Sequence, residues 1–253
     1  MAFSFIIDGV RSENLGIRVN NVSRVIHSPS DIRSIDIPDR FGVYFVRADF
    51  GAKSIIVDVS IIGDDFEDVM NRVRSIASAL DIGEGLKTLS FDDEPDIEDM
   101  AVLSGASDLV QIRKLGRGSL TFFCPNPFSR SVSTEEHNFI ASGNVIFNRV
   151  GSAVSSPVIR VTANSAIDYV EAHHIGLDQK IVWENYVSPM SAGEVLLIDN
   201  VRNLVTRQGL RNMNQIRISS RFFYLEKNSN TVVVSVTTGE SAGVKLEYRP
   251  YWL

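Results

Sequence analysis

Short stretches of this chain place apolar side chains at every second position, and Gly, Asn, Asp and Pro cut the stretches apart. The pattern predicts strands at residues 3–7, 15–19, 43–50 and 54–62. Asp8-Gly9 is a tight-turn dipeptide, so the first two should close a small hairpin. One segment departs from the alternation. After Asp64-Asp65, apolar side chains fall at Phe66, Val69, Met70, Val73, Ile76, Ala77 and Leu80, the three-and-four spacing of one buried helix face. The acidic start and the later Arg72 and Arg74 suit the helix dipole, and Gly83 ends the element. This helix is expected to pack on the N-terminal sheet. Strands return at 87–91 and 101–103. A further pair, 110–115 and 119–124, is expected around Gly116 and Gly118.

Pro125-Asn126-Pro127-Phe128 interrupts the pattern, because each proline lacks a donor and restrains its neighbour. The polar run that follows, through Asn138, places a domain boundary near residue 133. The chain then reads as 1–133, a β domain with one helix, and 134–253, an all-β domain. In the second half the expected strands are 145–148, 158–162, 166–170, 181–183, 195–199, 203–207, 216–219, 222–225, 231–237 and 244–248. Turns about every 8–12 residues predict a sandwich or barrel. Tyr251 and Trp252 at the C-terminus need an anchor, either in their own sandwich or on the N-terminal domain.

Composition narrows the function classes. The 253 residues suffice for two domains, and 44% of them are hydrophobic, enough for real cores. The net charge of −6 gives no global reason to hold nucleic acid, which needs clustered Lys and Arg. Cys124 is the only cysteine, which excludes an intrachain disulfide or a thiolate zinc cage. The N-terminus does not read as a secretory signal, and no apolar run of about 18 residues predicts a membrane span.

Candidate chemistry is sparse. Asp92, Asp93, Glu94, Asp96, Glu98 and Asp99 could form a calcium loop, but they lack regular ligand spacing, and a solvated loop is the better reading. His173-His174 on a strand point to opposite faces and cannot easily share an ion. Residues 83–88 carry two glycines and a lysine but follow a helix, where a phosphate loop follows a strand. Trp183 with Tyr186 could stack a sugar, with Glu184, Asn185 and Arg207 as hydrogen-bonding neighbours, but a core residue is the better reading of Trp183. Gly-x-Ser-x-Gly and His-Glu-x-x-His are absent, and no catalytic, cofactor or metal residues are assigned.

In the segment 25–49, Ile32, Ile35 and Ile37 are interleaved with Asp31, Arg33, Ser34 and Asp36. Pro38-Asp39-Arg40-Phe41-Gly42 reads as a hairpin tip, with 43–50 as the return strand. A hairpin this long either folds on its own domain or pairs with a neighbour as an intersubunit arm. The arm candidates are Ile35, Ile37, Asp39, Arg40, Phe41 and Tyr44.

Several landmarks in order resemble the distal tail proteins of siphophages, chiefly those of Gram-positive hosts. In the second half they are Asn148, Gly151 and Pro157; Gly193-Glu194 with the strand to Asp199; Phe222 to Leu225 followed by Asn230; and Tyr248 to Leu253. In the first half they are Asp8-Gly9, the single helix, Phe91 to Asp96, and Phe122 to Phe128. The resemblance implies an N-terminal β-sandwich with one helix and an extended hairpin, and a C-terminal galectin-like β-sandwich. It implies a structural hub without a cofactor, assembled in the host cytoplasm and carried in the virion tail tip. The hub would be a homohexameric ring, single or as two stacked rings. It would join the tail tube protein to the tail-tip fibre or spike protein, with no membrane partner, and DNA would pass through without specific binding. An acidic chain suits such a channel, so its lining is expected to be acidic or neutral on balance. The alternatives are a carbohydrate-binding adhesion module on the host wall and a small β-rich hydrolase.

Overall fold

The computed structural model describes residues 3–25, 27–105, 109–112, 115–237 and 239–253. Its contacts divide into two compact units, residues 1–130 with 253, and residues 131–252.

The first unit contains β1 (Phe5–Ile7), β2 (Val10–Arg11), β3 (Ile17–Ser23), β4 (Ser30–Asp36), β5 (Val43–Phe50), β6 (Lys53–Ile62), α1 (Phe66–Ala79), β7 (Lys87–Phe91), β8 (Glu94–Leu103), β9 (Leu109–Ile112) and β10 (Leu115–Cys124). The short β11 (Ser129–Ser131) follows. The antiparallel order is β2-β1-β7-β8-β10-β6-β3. The strand β6 shows why the alternation forms a sheet: Ile55, Val57, Val59 and Ile61 all point into the core.

Two pairings differ from expectation. Asp8-Gly9 does make a turn, but it joins β1 to the short β2. The stretch read as its partner begins β3 and pairs instead with β6, placing Ile17 opposite Ile61 and Val19 opposite Val59. A buried apolar ladder outweighs the local hairpin. The strand β10 runs straight through Gly116 and Gly118, which therefore are not its turn; residues 113–114 lie outside the described residues.

The helix forms where its spacing predicts. Asp65 caps it by accepting from the Asp68 N–H at 2.8 Å, and Asp68 accepts in return from the Asp64 N–H at 3.1 Å. Val69 and Ile76 are buried, whereas Phe66 in the first turn is 61% exposed and is not part of the buried face. A side chain at Gly63 would meet Val69 Cγ2 at 2.7 Å, so glycine lets the helix come close to the end of β6.

The acidic run is not a solvated loop. It is the turn into β8 and the first half of that strand, neutralised by cations remote in sequence. Asp92 meets Arg11 at 3.2 Å, Asp93 meets Arg24 at 2.7 Å, Glu98 meets Arg130 at 2.7 Å and Asp99 meets Lys53 at 2.8 Å. The Arg24 guanidinium also lies 4.3 Å from the Phe91 ring centroid. Its hydrogen bond holds the Asp93 carboxyl below its ordinary 3.8. A depressed folded pKa stabilises the fold above the unfolded value and is lost as pH falls through the folded one. Thermal midpoints of Arg24→Leu should therefore fall less steeply than wild type between about pH 5 and pH 2. Parallel slopes would show that this pair contributes nothing to acid stability.

The second unit is a sandwich. Its strands are β12 (Glu135–Ile140), β13 (Gly143–Asn148), β14 (Val158–Ala163), β15 (Tyr169–His174), β16 (Gln179–Glu184), β17 (Val195–Asp199), β18 (Leu204–Arg207), β19 (Leu210–Arg211), β20 (Ser229–Val236) and β21 (Ala242–Tyr248); the short β22 (Tyr251–Trp252) belongs to neither of its sheets. One sheet is ordered β12-β21-β14-β17-β18-β19 and the other β13-β20-β15-β16. Inward residues of both form one core, among them Ile159, Val161, Leu196, Ile198, Val232 and Leu246. The stretches expected as strands at 216–219 and 222–225 make only isolated bridges, Ile216 to Trp183 and Leu225 to Ser155. Conversely β12 begins in the polar run read as the domain boundary.

Two contacts fix loops of this unit. Tyr251 bridges Ala153, and a side chain at Gly151 would meet the Tyr251 carbonyl at 2.4 Å, so this glycine admits the C-terminal segment to its own sandwich. Asn230 is fully buried and uses its whole amide. Its Oδ1 accepts from the Glu226 N–H at 2.7 Å and from His174 Nε2 at 2.9 Å. Its Nδ2 donates to the Glu226 and Asn228 carbonyls at 3.1 and 2.8 Å. Because His174 Nδ1 accepts from the Leu177 N–H, Nε2 carries the ring proton, and the imidazole is a neutral structural link. His173, on the other face, lies 3.3 Å from Asp178. Among the described residues no group of three or more His, Cys, Asp or Glu is arranged to hold a metal ion.

Candidate assembly surface

The strands β4 and β5 belong to none of these sheets. Among the described residues they pair only with each other, as an extension between the adjacent strands β3 and β6. Every residue of both strands is exposed. Seven residues at about 3.4 Å each carry the tip roughly 24 Å from the root. The tip is a tight turn in which the Arg40 N–H donates to the Ile37 carbonyl at 3.2 Å. Pro38 supplies the fixed first corner, and Asp39 takes a positive φ of 61° at the second. All six arm candidates read from the sequence lie on this hairpin, toward its tip.

The register sorts its side chains. Ser30 pairs with Phe50, Ile32 with Ala48, Ser34 with Phe45 and Asp36 with Val43, and these rungs share one face. Asp31 pairs with Asp49, Arg33 with Arg47 and Ile35 with Tyr44 on the other. Val46 is the extra residue of a bulge. The first face is apolar, with Ile32, Val43 and Phe45 each at least 60% exposed. The second is charged near the root, where Arg47 bonds Asp49 at 2.9 Å, and apolar near the tip. Phe41 at the tip is 105% exposed.

The root is held by several contacts. The Phe50 ring packs edge-on against Phe128 with centroids 5.3 Å apart, and His27 lies 5.3 Å from Phe50. The Gly51 N–H donates to the Pro29 carbonyl at 2.6 Å, and Ser28 Oγ donates to the Pro127 carbonyl at 2.7 Å. The Pro125–Phe128 passage, read from sequence only as a break between domains, thus forms the socket from which the hairpin springs. Val43, Phe45 and Phe50 stand on the same hairpin as the arm candidates. Their signal was the alternation within 43–50, but face assignment needed the bulge at Val46, which sequence does not announce.

The proposed sugar-stacking pair is not assembled. Trp183 is wholly buried and its indole N–H donates to Asn212 Oδ1 at 2.6 Å, so its ring is closed to a ligand. Tyr186 stays exposed without it. Arg207 is committed to Glu194 and to the Ser188 and Pro189 carbonyls, Glu184 to Arg217, and Asn185 Oδ1 to the Ser188 N–H.

Comparison with known proteins decides the family. Residues 12–124 match the phage tail protein RIFT-related domain, and residues 150–252 match the siphovirus-type tail component, C-terminal domain. The chain belongs to the distal tail proteins of siphophages. It is therefore a component of the virion tail, from a family of structural proteins. The distal tail protein shares its fold with SPP1 Dit, described as a paradigm of the hub adsorption apparatus in phages infecting Gram-positive bacteria. The TM-score is 0.84 at 15% identity, covering 100% of both chains. A baseplate chain of phage p2 in its activated conformation with Ca gives a TM-score of 0.49 at 12% identity over 98% of both chains. No curated protein matches at the sequence level.

Proposed function

We propose that this distal tail protein is the hub of the tail tip. It closes head to tail into a homohexameric ring, single or as two stacked rings, between the tail tube protein and the tail-tip fibre or spike protein. DNA crosses the ring without specific binding, which the net charge of −6 favours by withholding counter-charge from phosphates. The observation that carries the reading is the free hairpin of β4 and β5. A lone domain gains nothing from a ribbon with exposed Ile32, Ile35, Phe41, Val43, Tyr44 and Phe45. Apolar surface of that extent marks a contact with another chain. We read the contact as heterologous, the arm of one copy on a different patch of the next, because such a contact closes a ring when its rotation closes, whereas a two-fold exchange of arms would stop at a dimer.

Light scattering tests this directly. The full chain should elute as a multi-subunit ring, and deletion of residues 31–45 should reduce it to a folded monomer. A deletion variant with unchanged mass would remove the hairpin from ring closure.

A further inference from the structure

An arm needs a receiving site, and the first unit has one with the right chemistry. Between α1 and the sheet lies an open apolar cleft of about 210 Å³. It is lined by Val59 and Ile61 of β6, Val73 and Ala77 of α1, Leu80 just past the helix, and Leu120 of β10. A cavity of about 150 Å³ with aliphatic walls accepts benzene, so this cleft has room for one phenyl ring.

Its position matters as much as its volume. The hairpin springs from the Lys53 end of β6, whereas the cleft lies at Val59 and Ile61, near the other end. At about 3.3 Å per residue, Lys53 and Ile61 are roughly 26 Å apart along the strand. Knob and hole are thus at opposite ends of one strand, and the hairpin is not folded back on the cleft of its own chain. Two different patches, one given and one received, are what a head-to-tail contact requires. The area agrees: Phe41, Phe45, Tyr44, Val43, Ile32 and Ile35 together expose on the order of 800 Å², about one partner's share of a stable interface.

We propose that Phe41 of one copy seats in the cleft between α1 and β6 of a second copy. The cleft's occupant is then a second copy of this chain, joined by its hairpin tip. The proposal rests on the arm reading above and adds where the arm lands. Phe41 is the anchor, because it is the fully exposed aromatic at the point of greatest reach, and buried aromatics dominate such contacts.

Paired cysteines on the full chain test the landing site. The native Cys124 is 1% exposed and stays silent. The double variant Phe41→Cys/Ala77→Cys, oxidised and run under denaturing conditions, should give a ladder of dimers, trimers and higher species. The two single variants mixed should stop at dimers. Independently, Ala77→Trp on the exposed side of the helix should fill the cleft and weaken assembly by about tenfold or more. Assembly that persists by light scattering with no ladder, or unaffected by Ala77→Trp, would overturn the landing site and leave the arm intact. A wild-type chain that stays monomeric at every concentration would overturn both.

Discussion

Replacing Asn230 by alanine should destabilise the second unit by about 4 kcal/mol. The side chain is fully buried at the start of β20, and all of its hydrogen-bonding capacity is used. Removing it leaves the Glu226 N–H, the Glu226 and Asn228 carbonyls and the His174 Nε2–H without their partner. A fully buried orphan costs about 1–3 kcal/mol, and the part-buried groups at Glu226 and Asn228 recover some of that from water. Asn230→Asp sharpens the test, since it keeps the shape and the Oδ1 acceptor. It turns the other oxygen toward two carbonyls that need a donor, so at neutral pH it should be at least as damaging as alanine. Urea unfolding of the three proteins measures this. A loss below about 1 kcal/mol for Asn230→Ala would mean that the loop 226–230 re-satisfies itself, and the network would not be what holds it.

Asn230 also shows what a sequence yields and withholds. It stood out as a landmark before β20, yet nothing local revealed why an amide belongs there. Two of its partners, Glu226 and Asn228, are near neighbours, but the third, His174, lies at the end of β15. The same division holds across the fold. The strand β6 and helix α1 were legible because their periodicity is set by one buried face each. The acidic run at Asp92 to Asp99 was misread because its meaning depends on Arg11, Arg24, Lys53 and Arg130, all distant in sequence. The edge strand β12 was missed because its exposed positions make its composition that of a linker. The stretches 216–219 and 222–225 have strand composition but lack strand partners along their length.

The candidate surface divides likewise. Its existence was legible, because a proline-glycine tip between two interleaved apolar runs specifies a hairpin. Whether it lay on its own domain or projected from it was not. That depended on the root, where Phe128, Pro127 and Pro29 grip Phe50, Ser28 and Gly51. Trp183 illustrates the opposite case, a core residue as its composition favoured. Its neighbours made a plausible sugar site in one dimension, but the fold turns the indole inward and engages Arg207, Glu184 and Asn185 elsewhere.

The buried pair at that root gives the second large effect. Lys53 opens β6 just past the hairpin. Its side chain and that of Asp99 are 10% and 11% exposed, with Nζ and Oδ1 2.8 Å apart. Nζ also donates to Ser129 Oγ at 2.7 Å, while Asp99 Oδ1 has no hydrogen-bond partner with good geometry among the described residues. Asp99→Leu or Lys53→Met alone strands one charge in the interior and should cost about 3–5 kcal/mol. The double variant removes both charges and should lie within about 1 kcal/mol of wild type, or above it. Such a pair then owes its place to direction rather than stability, because only one arrangement of the root satisfies it. The double variant should therefore unfold at wild-type denaturant concentration yet assemble more weakly, since a loosened root lets the hairpin swing and raises the entropic cost of seating its tip. Equal assembly by light scattering in wild type and double variant would deny the pair this orienting role. Singles and double equally destabilised would show that the charges, not their mismatch, hold the fold.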